Sequence, residues 1–196
     1  VIWEIIKQLY FPESIYSFTV FSSDILGNIY EVFLSKKVKQ LNNEILLVDK
    51  PENIDRDIVT TPNFIIKEIL KKTLIEYCKG KNSEEILSIK VADIACGSGA
   101  FLLEAFQLIQ DILIDYYVSH DSSKLIKTSK HSYKLNFNDK KTILCNCIYG
   151  FDKDYNAVKA CRFGLLLKLL EDESKDTIVN FNKILPQLDN NIIYAN

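Results

Sequence analysis

The stretch Val91-Ala92-Asp93-Ile94-Ala95-Cys96-Gly97-Ser98-Gly99-Ala100-Phe101-Leu102 decides how this chain reads. A short β-rich run, Ile89 to Ala95, ends in Cys96-Gly97-Ser98-Gly99, and an apolar helix follows from Ala100 to about Val118. Gly97 and Gly99 let the backbone turn sharply and let a ligand lie close against it. The N–H groups at the start of the following helix point into the same space. A turn of this kind can hold a nucleotide-like ligand at the C-terminal end of a strand. It can also be a strand–helix connection with no ligand. A dinucleotide fingerprint, G-x-G-x-x-G, would need glycine where Leu102 stands, and its ribose acid would come about twenty residues later. The nearest acid at a second strand end is Asp152. No G-K-S/T follows the turn, so phosphate-loop chemistry is absent. Asp93 would repel a phosphate and suits a ligand with a cationic end, an amino group or a sulfonium.

The pattern continues outward from this turn. Residues 119–141 are polar and Lys-rich and read as an exposed insertion, with Lys124, Lys127, Lys130, Lys134, Lys140 and Lys141. Cys147 to Phe151 reads as a second strand ending at Asp152. Ala157 to Leu170 reads as a second amphipathic helix, and Asp189 to Asn196 as a third strand. Strand, glycine turn, helix, strand, acid, helix, strand implies an α/β fold with a parallel sheet. Upstream, Pro62 starts a helix whose apolar positions are Ile65, Ile66, Ile69, Leu70 and Leu74, stopping near Gly80. The first forty residues read as helices. Ile25, Leu26, Ile29, Tyr30, Phe33 and Leu34 share one helical face, Ser23 or Asp24 caps it, and Lys36, Lys37 and Lys39 suit its last turn. Residues 42 to 61 read as a linker with a short strand at Ile45–Val48. The expected division is a helical segment over residues 1–58 and an α/β core over 59–196.

Composition narrows the classes. The chain has 196 residues, 47% of them apolar and 26% charged, which suits one globular domain with an appendage. No apolar run is long enough for a membrane span and no signal peptide opens the chain. Net charge is −2, and only Arg56 and Arg162 among the 24 basic residues are arginines. That is a poor endowment for reading guanine edges. The five cysteines form no C-x-x-C pair, so buried reduced thiols and no metal site are expected, in the cytoplasm. The absence of Met and the start at Val1 read as a piece of a larger protein.

Asp93 to Leu102 resembles the S-adenosylmethionine-binding motif of N6-adenine DNA methyltransferases, closest to those of type I and type IIG restriction–modification systems. Three further segments match in family order. Leu26-Gly27-Asn28-Ile29-Tyr30-Glu31-Val32-Phe33-Leu34 resembles the family's L-G-x-I-Y-E-x-F-L helix. Thr61-Pro62-Asn63-Phe64-Ile65 resembles the T-P-x-x-I segment that closes over the methionine end of the cofactor. Ile148-Tyr149-Gly150-Phe151-Asp152 with Ala157-Val158 resembles the motif whose acid holds the ribose. The tail, Leu185–Asp189 and Asn191–Asn196, is similar to the third motif.

The resemblance implies a Rossmann-like S-adenosylmethionine-dependent methyltransferase fold, its parallel sheet truncated, behind an N-terminal helical layer. It implies methyl transfer from S-adenosylmethionine to N6 of adenine in DNA, and DNA as a partner of the full-length enzyme. Cofactor contacts would come from Thr61, Pro62, Asp93, Ala95, Cys96, Gly97, Gly99, Phe101, Asp152, Lys153 and Asn196. Asp152 would accept the ribose hydroxyls, although an acid there also suits a helix cap. Thr61 would touch the methionine carboxylate, or cap the helix at Pro62. Lys153 departs from the apolar residue the family often has. The family's N-P-P-Y motif, which grips the flipped adenine, is absent, since no Pro-Pro occurs. No catalytic residue is therefore assigned, and these residues alone are expected to be inactive. In the family fold further strands pair beside the first; without them the strand at 90–95 has an open edge that invites self-association. Two other readings remain: a module docking DNA or a subunit without catalysis, and a dinucleotide-binding oxidoreductase domain.

Overall fold

A computed structural model describes residues 2–8, 13, 36–41, 44–49, 61–128, 132–173 and 185–195. Helix α1 spans Ile2–Lys7. Strands β1 (Lys36–Leu41) and β2 (Glu44–Asp49) form an antiparallel hairpin with Lys36 opposite Asp49 and Leu41 opposite Glu44. The strand expected at Ile45–Val48 is there. Lys36, Lys37 and Lys39 are not in a helical turn as expected but on β1. The two strands are separated by Asn42-Asn43, the residue type that short hairpin connections favour, and this pairing outweighs the helix-dipole reading of the lysines. The helix expected over residues 24–34 and the linker at 50–60 lie outside the described residues, as does Asn196.

Helix α2 (Asn63–Leu70) runs through a π-helical turn, Lys71–Ile75, into α3 (Glu76–Cys78). It buries Ile66, Leu70, Leu74 and Cys78, a strict spacing of four. An α-helix rotates such a row by about 40° per step, and the wider π turn brings it back over the core. Ile65 and Ile69, expected on the apolar face, are 37% and 43% exposed. Helix α4 (Ser83–Ser88) was not expected. Its signature is local: Glu85 N–H donates to Asn82 Oδ1 at 2.9 Å and Asn82 N–H donates to Glu85 Oε2 at 2.8 Å, a capping box.

Strand β3 (Val91–Asp93) leads through the glycine turn into α5 (Ala100–His120). Next come a small antiparallel pair, β4 (Leu125–Lys127) and β5 (Tyr133–Leu135), and helix α6 (Phe137–Cys147). Strand β6 (Ile148–Asp152), helix α7 (Tyr155–Leu170) and strand β7 (Ile192–Tyr194) complete the described chain. The sheet is parallel in the order β3-β6-β7, pairing Val91 with Ile148 and Gly150 with Ile192. The expected strand–helix alternation is therefore present in a mixed α/β structure. Leu102, Phe106, Ile109 and Leu113 of α5 pack with Ile143, Leu144, Ile148, Leu165 and Leu169 to form the core.

Residues 119–141 are not the exposed insertion expected. Leu125, Leu135 and Phe137 are buried, and Lys140 is only 5% exposed. Lys140 Nζ lies 2.7 Å from Glu173 Oε1, and Lys134 Nζ lies 3.7 Å from Glu173 Oε2. Lys124 lies over the Tyr117 ring at 5.1 Å. A lysine run reads as a solvated face in sequence, but Glu173, over thirty residues away, draws two of these cations inward.

Two polar groups hold β7 in place. Asn191 is buried and its Nδ2 donates to Cys145 O at 2.8 Å and to Ile148 O at 2.9 Å. Arg162 donates to Ile192 O from Nε at 3.0 Å and from Nη2 at 2.6 Å, and pairs with Asp189. Gly150 N–H donates to Asn191 O and Ala195 N–H to Asp152 O, so Ile192 turns its own backbone away from β6. Arg162 thus covers the outer edge of β7, whereas Ala92 on β3 is exposed at the opposite edge.

All five cysteines are free, and Cys78, Cys96, Cys147 and Cys161 are buried. Burial pushes the Cys147 thiol from 9.0 up to about 11. Its stabilisation is complete below pH 9, where both folded and unfolded thiols are protonated. Between pH 9 and 11 the unfolded thiol ionises first, so stability falls by up to about 1.4 kcal/mol per pH unit. Urea unfolding at pH 8, 9 and 10 is expected to show this slope, and Cys147→Ala to reduce it; an unchanged slope in the variant would contradict the assignment. No helix among the described residues is long and apolar enough to cross a membrane.

Candidate cofactor-binding site

The glycine turn closes on itself and on β6. Asp93 Oδ1 accepts the Ala95 N–H at 3.0 Å, and Gly99 N–H donates to Cys96 O at 2.8 Å. Asp93 therefore pins the loop from within. Cys96 N–H donates to Phe151 O at 2.9 Å and Gly97 N–H to Asp152 Oδ2 at 2.8 Å. The turn after the first parallel strand and the end of the second meet at Gly97 and Asp152, 55 residues apart.

The two glycines serve different sides of the turn. Gly97 has φ +53° and, among the described residues, nothing lies within 4 Å of where its Cβ would stand. Its face is open, as a ligand lying on the backbone requires. Gly99 has φ +93° and faces inward: a Cβ there would stand 2.5 Å from Cys161 Sγ. Gly150, beneath the turn, would place a Cβ 2.7 Å from Leu102 Cδ1 and 3.1 Å from Cys96 Sγ.

Asp152 is half-buried at the end of β6, and its Oδ1 accepts the Asp154 N–H at 2.8 Å. It does not cap α7. That position belongs to Asp154, whose Oδ1 accepts the Asn156 N–H at 2.8 Å. Asp152 instead bridges the Gly97 and Asp154 N–H groups through its two oxygens. Lys153 beside it is exposed, as is Ala95, and Phe101 is half-buried against the core. Thr61 and Pro62 stand before α2, whose cap position is Pro62 with no side-chain cap; the Pro62 carbonyl accepts from Ile65 and Ile66. Lys67 and Glu104, 3.8 Å apart, tie α2 to α5.

Three residues near the site were not singled out by sequence. Cys161 packs under the turn. Its thiol is pushed well above the ordinary range, first by the hydrogen bond with Cys96, then by burial and the charges of Asp93 and Asp152. Tyr155 and Tyr194 meet edge to face with ring centroids 5.8 Å apart, and Tyr194 pairs with Asp152 in the sheet. Only the pairing of β6 with β7 reveals this aromatic edge; nothing in the spacing of the two tyrosines signals it.

Residues 21–189 match the N-6 DNA methylase family. The whole chain aligns at 64% identity over 197 residues with RM.Eco57I of Escherichia coli, a type II restriction enzyme and methyltransferase, covering 20% of that protein. RM.MjaORFECS2P of Methanocaldococcus jannaschii, which carries the same kind of name, is 25% identical over 200 residues, covering 88% of this chain and 16% of that protein. The chain therefore spans about a fifth or less of the length of these relatives.

Proposed function

The chain belongs to the N-6 DNA methylase family, and we propose that it is the cofactor-binding part of an enzyme that methylates N6 of adenine in DNA using S-adenosylmethionine. The observation that carries this reading is the meeting of an open-faced Gly97 and the Asp152 carboxylate at adjacent strand ends. A carboxylate at a strand end accepts two ribose hydroxyls, and a glycine turn accepts a chain laid against its backbone. The fold accordingly reads as the first part of a Rossmann-like methyltransferase sheet.

The residues fit the group. Gly97, Gly99 and the Cys96 backbone would line the methionyl moiety, and Asp93 holds the turn on which it lies. Asp152 would hold the ribose, and Tyr155 and Tyr194 would wall the adenine side beside Lys153. Thr61 and Pro62 would close over the methionine end. S-adenosylmethionine, when bound, supplies the methyl group. The contribution of these residues is orientation: a transfer in line with the acceptor nitrogen gains from being held in one geometry. Cys96 is no nucleophile in this scheme. The N-P-P-Y motif that would grip the target adenine does not occur in this sequence, so methylation by these residues alone is not expected.

Calorimetric titration with S-adenosylmethionine and S-adenosylhomocysteine tests the reading. By these residues alone, weak binding at most is expected, and where it is seen Asp152→Ala should weaken it at least about a hundredfold, in line with losing two hydrogen bonds to a charged group. Equal affinity of the native protein and the variant would overturn the ribose role. Binding of a nicotinamide dinucleotide in preference to S-adenosylmethionine would overturn the cofactor reading itself.

A further inference from the structure

Two successive N–H groups of the turn, those of Cys96 and Gly97, are held by the last two residues of β6, Phe151 and Asp152. Gly97 needs φ +53°, yet glycine visits both signs of φ with similar ease and does not enforce this state. Within the turn, Gly99 N–H donates to Cys96 O, Ala95 N–H to Asp93 Oδ1 and the Cys96 thiol to Gly97 O at 3.8 Å. The Gly97 N–H is held from outside the turn by the Asp152 carboxylate, which is itself fixed from the other side by the Asp154 N–H at 2.8 Å. Each carboxylate oxygen has room for more than one donor, so the bond to Gly97 can persist while the same group accepts a ribose hydroxyl.

We propose that Asp152 is a positioning residue for the glycine turn, setting its shape before the cofactor arrives, so that recognition of the ribose and of the methionyl end are coupled through one side chain. The positioning half stands on the geometry alone; the coupling half rests on the cofactor reading above. A charge-assisted bond is roughly twice as strong as a neutral one, so an amide at position 152 holds the turn less firmly.

Amide hydrogen exchange on the cofactor-free protein tests the first half. Asp152→Ala is expected to speed exchange at Gly97 at least tenfold and Asp152→Asn less, with Phe106 in α5 unchanged. An unchanged rate at Gly97, or an equal rise at Gly97 and Phe106, overturns the positioning role. The second half is read by comparing S-adenosylhomocysteine with its 2′,3′-dideoxy analogue. A residue that only grips the ribose would leave affinity for the dideoxy analogue untouched by Asp152→Asn. Coupling predicts that this affinity also falls, by at least threefold, and an unchanged value overturns it. If neither compound binds the native protein, the cofactor reading and the coupling fall together, while the exchange rates still decide the positioning role.

Discussion

Gly99→Ala is expected to destabilise the protein by about 3 kcal/mol, the sum of roughly 1–2 kcal/mol for forcing a side chain into a left-handed backbone and about 1–3 kcal/mol for overpacking. The backbone sits at φ +93°, where L side chains are strained. The new Cβ would also stand 2.5 Å from Cys161 Sγ and 3.2 Å from Cys161 Cβ. Cys161 is fully buried on α7, so neither the thiol nor the helix has space to withdraw. The turn must move, and cofactor binding is expected to be lost with it. Urea unfolding and calorimetric titration measure the two effects. Cys161→Ala in the same protein removes the closest contact but not the backbone strain, and is expected to restore part of the stability. Gly97→Ala supplies the contrast: its Cβ meets nothing within 4 Å, so stability should fall by only about 1–2 kcal/mol for the positive φ, while the new methyl group occupies the open face. If Gly99→Ala and Gly97→Ala proved equally stable, the inward and outward roles assigned to the two glycines would be wrong.

Glu173→Ala is expected to cost about 3–5 kcal/mol, the usual result of breaking a buried ion pair from one side. The Glu173 side chain is 1% exposed and that of Lys140 is 6% exposed. Without the carboxylate, the Lys140 ammonium would stay buried, with the Glu171 carbonyl at 2.8 Å still accepting from it. Lys134 Nζ would keep its bond to Asp172 O at 2.5 Å. The effect is one of desolvation rather than lost attraction, so Lys140→Met combined with Glu173→Leu should recover most of the stability. A loss below about 1 kcal/mol in Glu173→Ala, the range of a surface pair, would show that the group is not buried in solution.

The glycine turn was legible because its determinants are local: two glycines, a preceding acid and a following apolar run within twelve residues. The strands at 91–93, 148–152 and 192–194 and the helices beginning at Asn63, Ala100 and Tyr155 follow from hydrophobic patterning for the same reason. The family was legible from four such segments in order. Helix α4 was written locally too, in Asn82-Ser83-Glu84-Glu85, and passed unread because it is only six residues long. Helix α6 was hidden by its composition: Asn138, Asp139, Lys140 and Lys141 read as loop, yet the Asn136 cap and the buried Phe137, Ile143 and Leu144 make a helix of them.

By itself, then, the sequence determined the order of β3, α5, β6, α7 and β7, the position of the turn and the family, because each depends on neighbours along the chain. Tertiary structure alone decided which groups meet across it. Gly97 and Asp152 are 55 residues apart, Gly99 and Cys161 sixty-two, and Lys140 and Glu173 thirty-three, and such pairings leave no period in a sequence. Whether an aspartate caps a helix or faces a ligand, or a lysine is solvated or buried, is set by which strand end or helix end the fold brings beside it. Asp152, an acid that would also suit a helix cap, bonds the glycine turn instead, and Asp154 two residues later makes the cap.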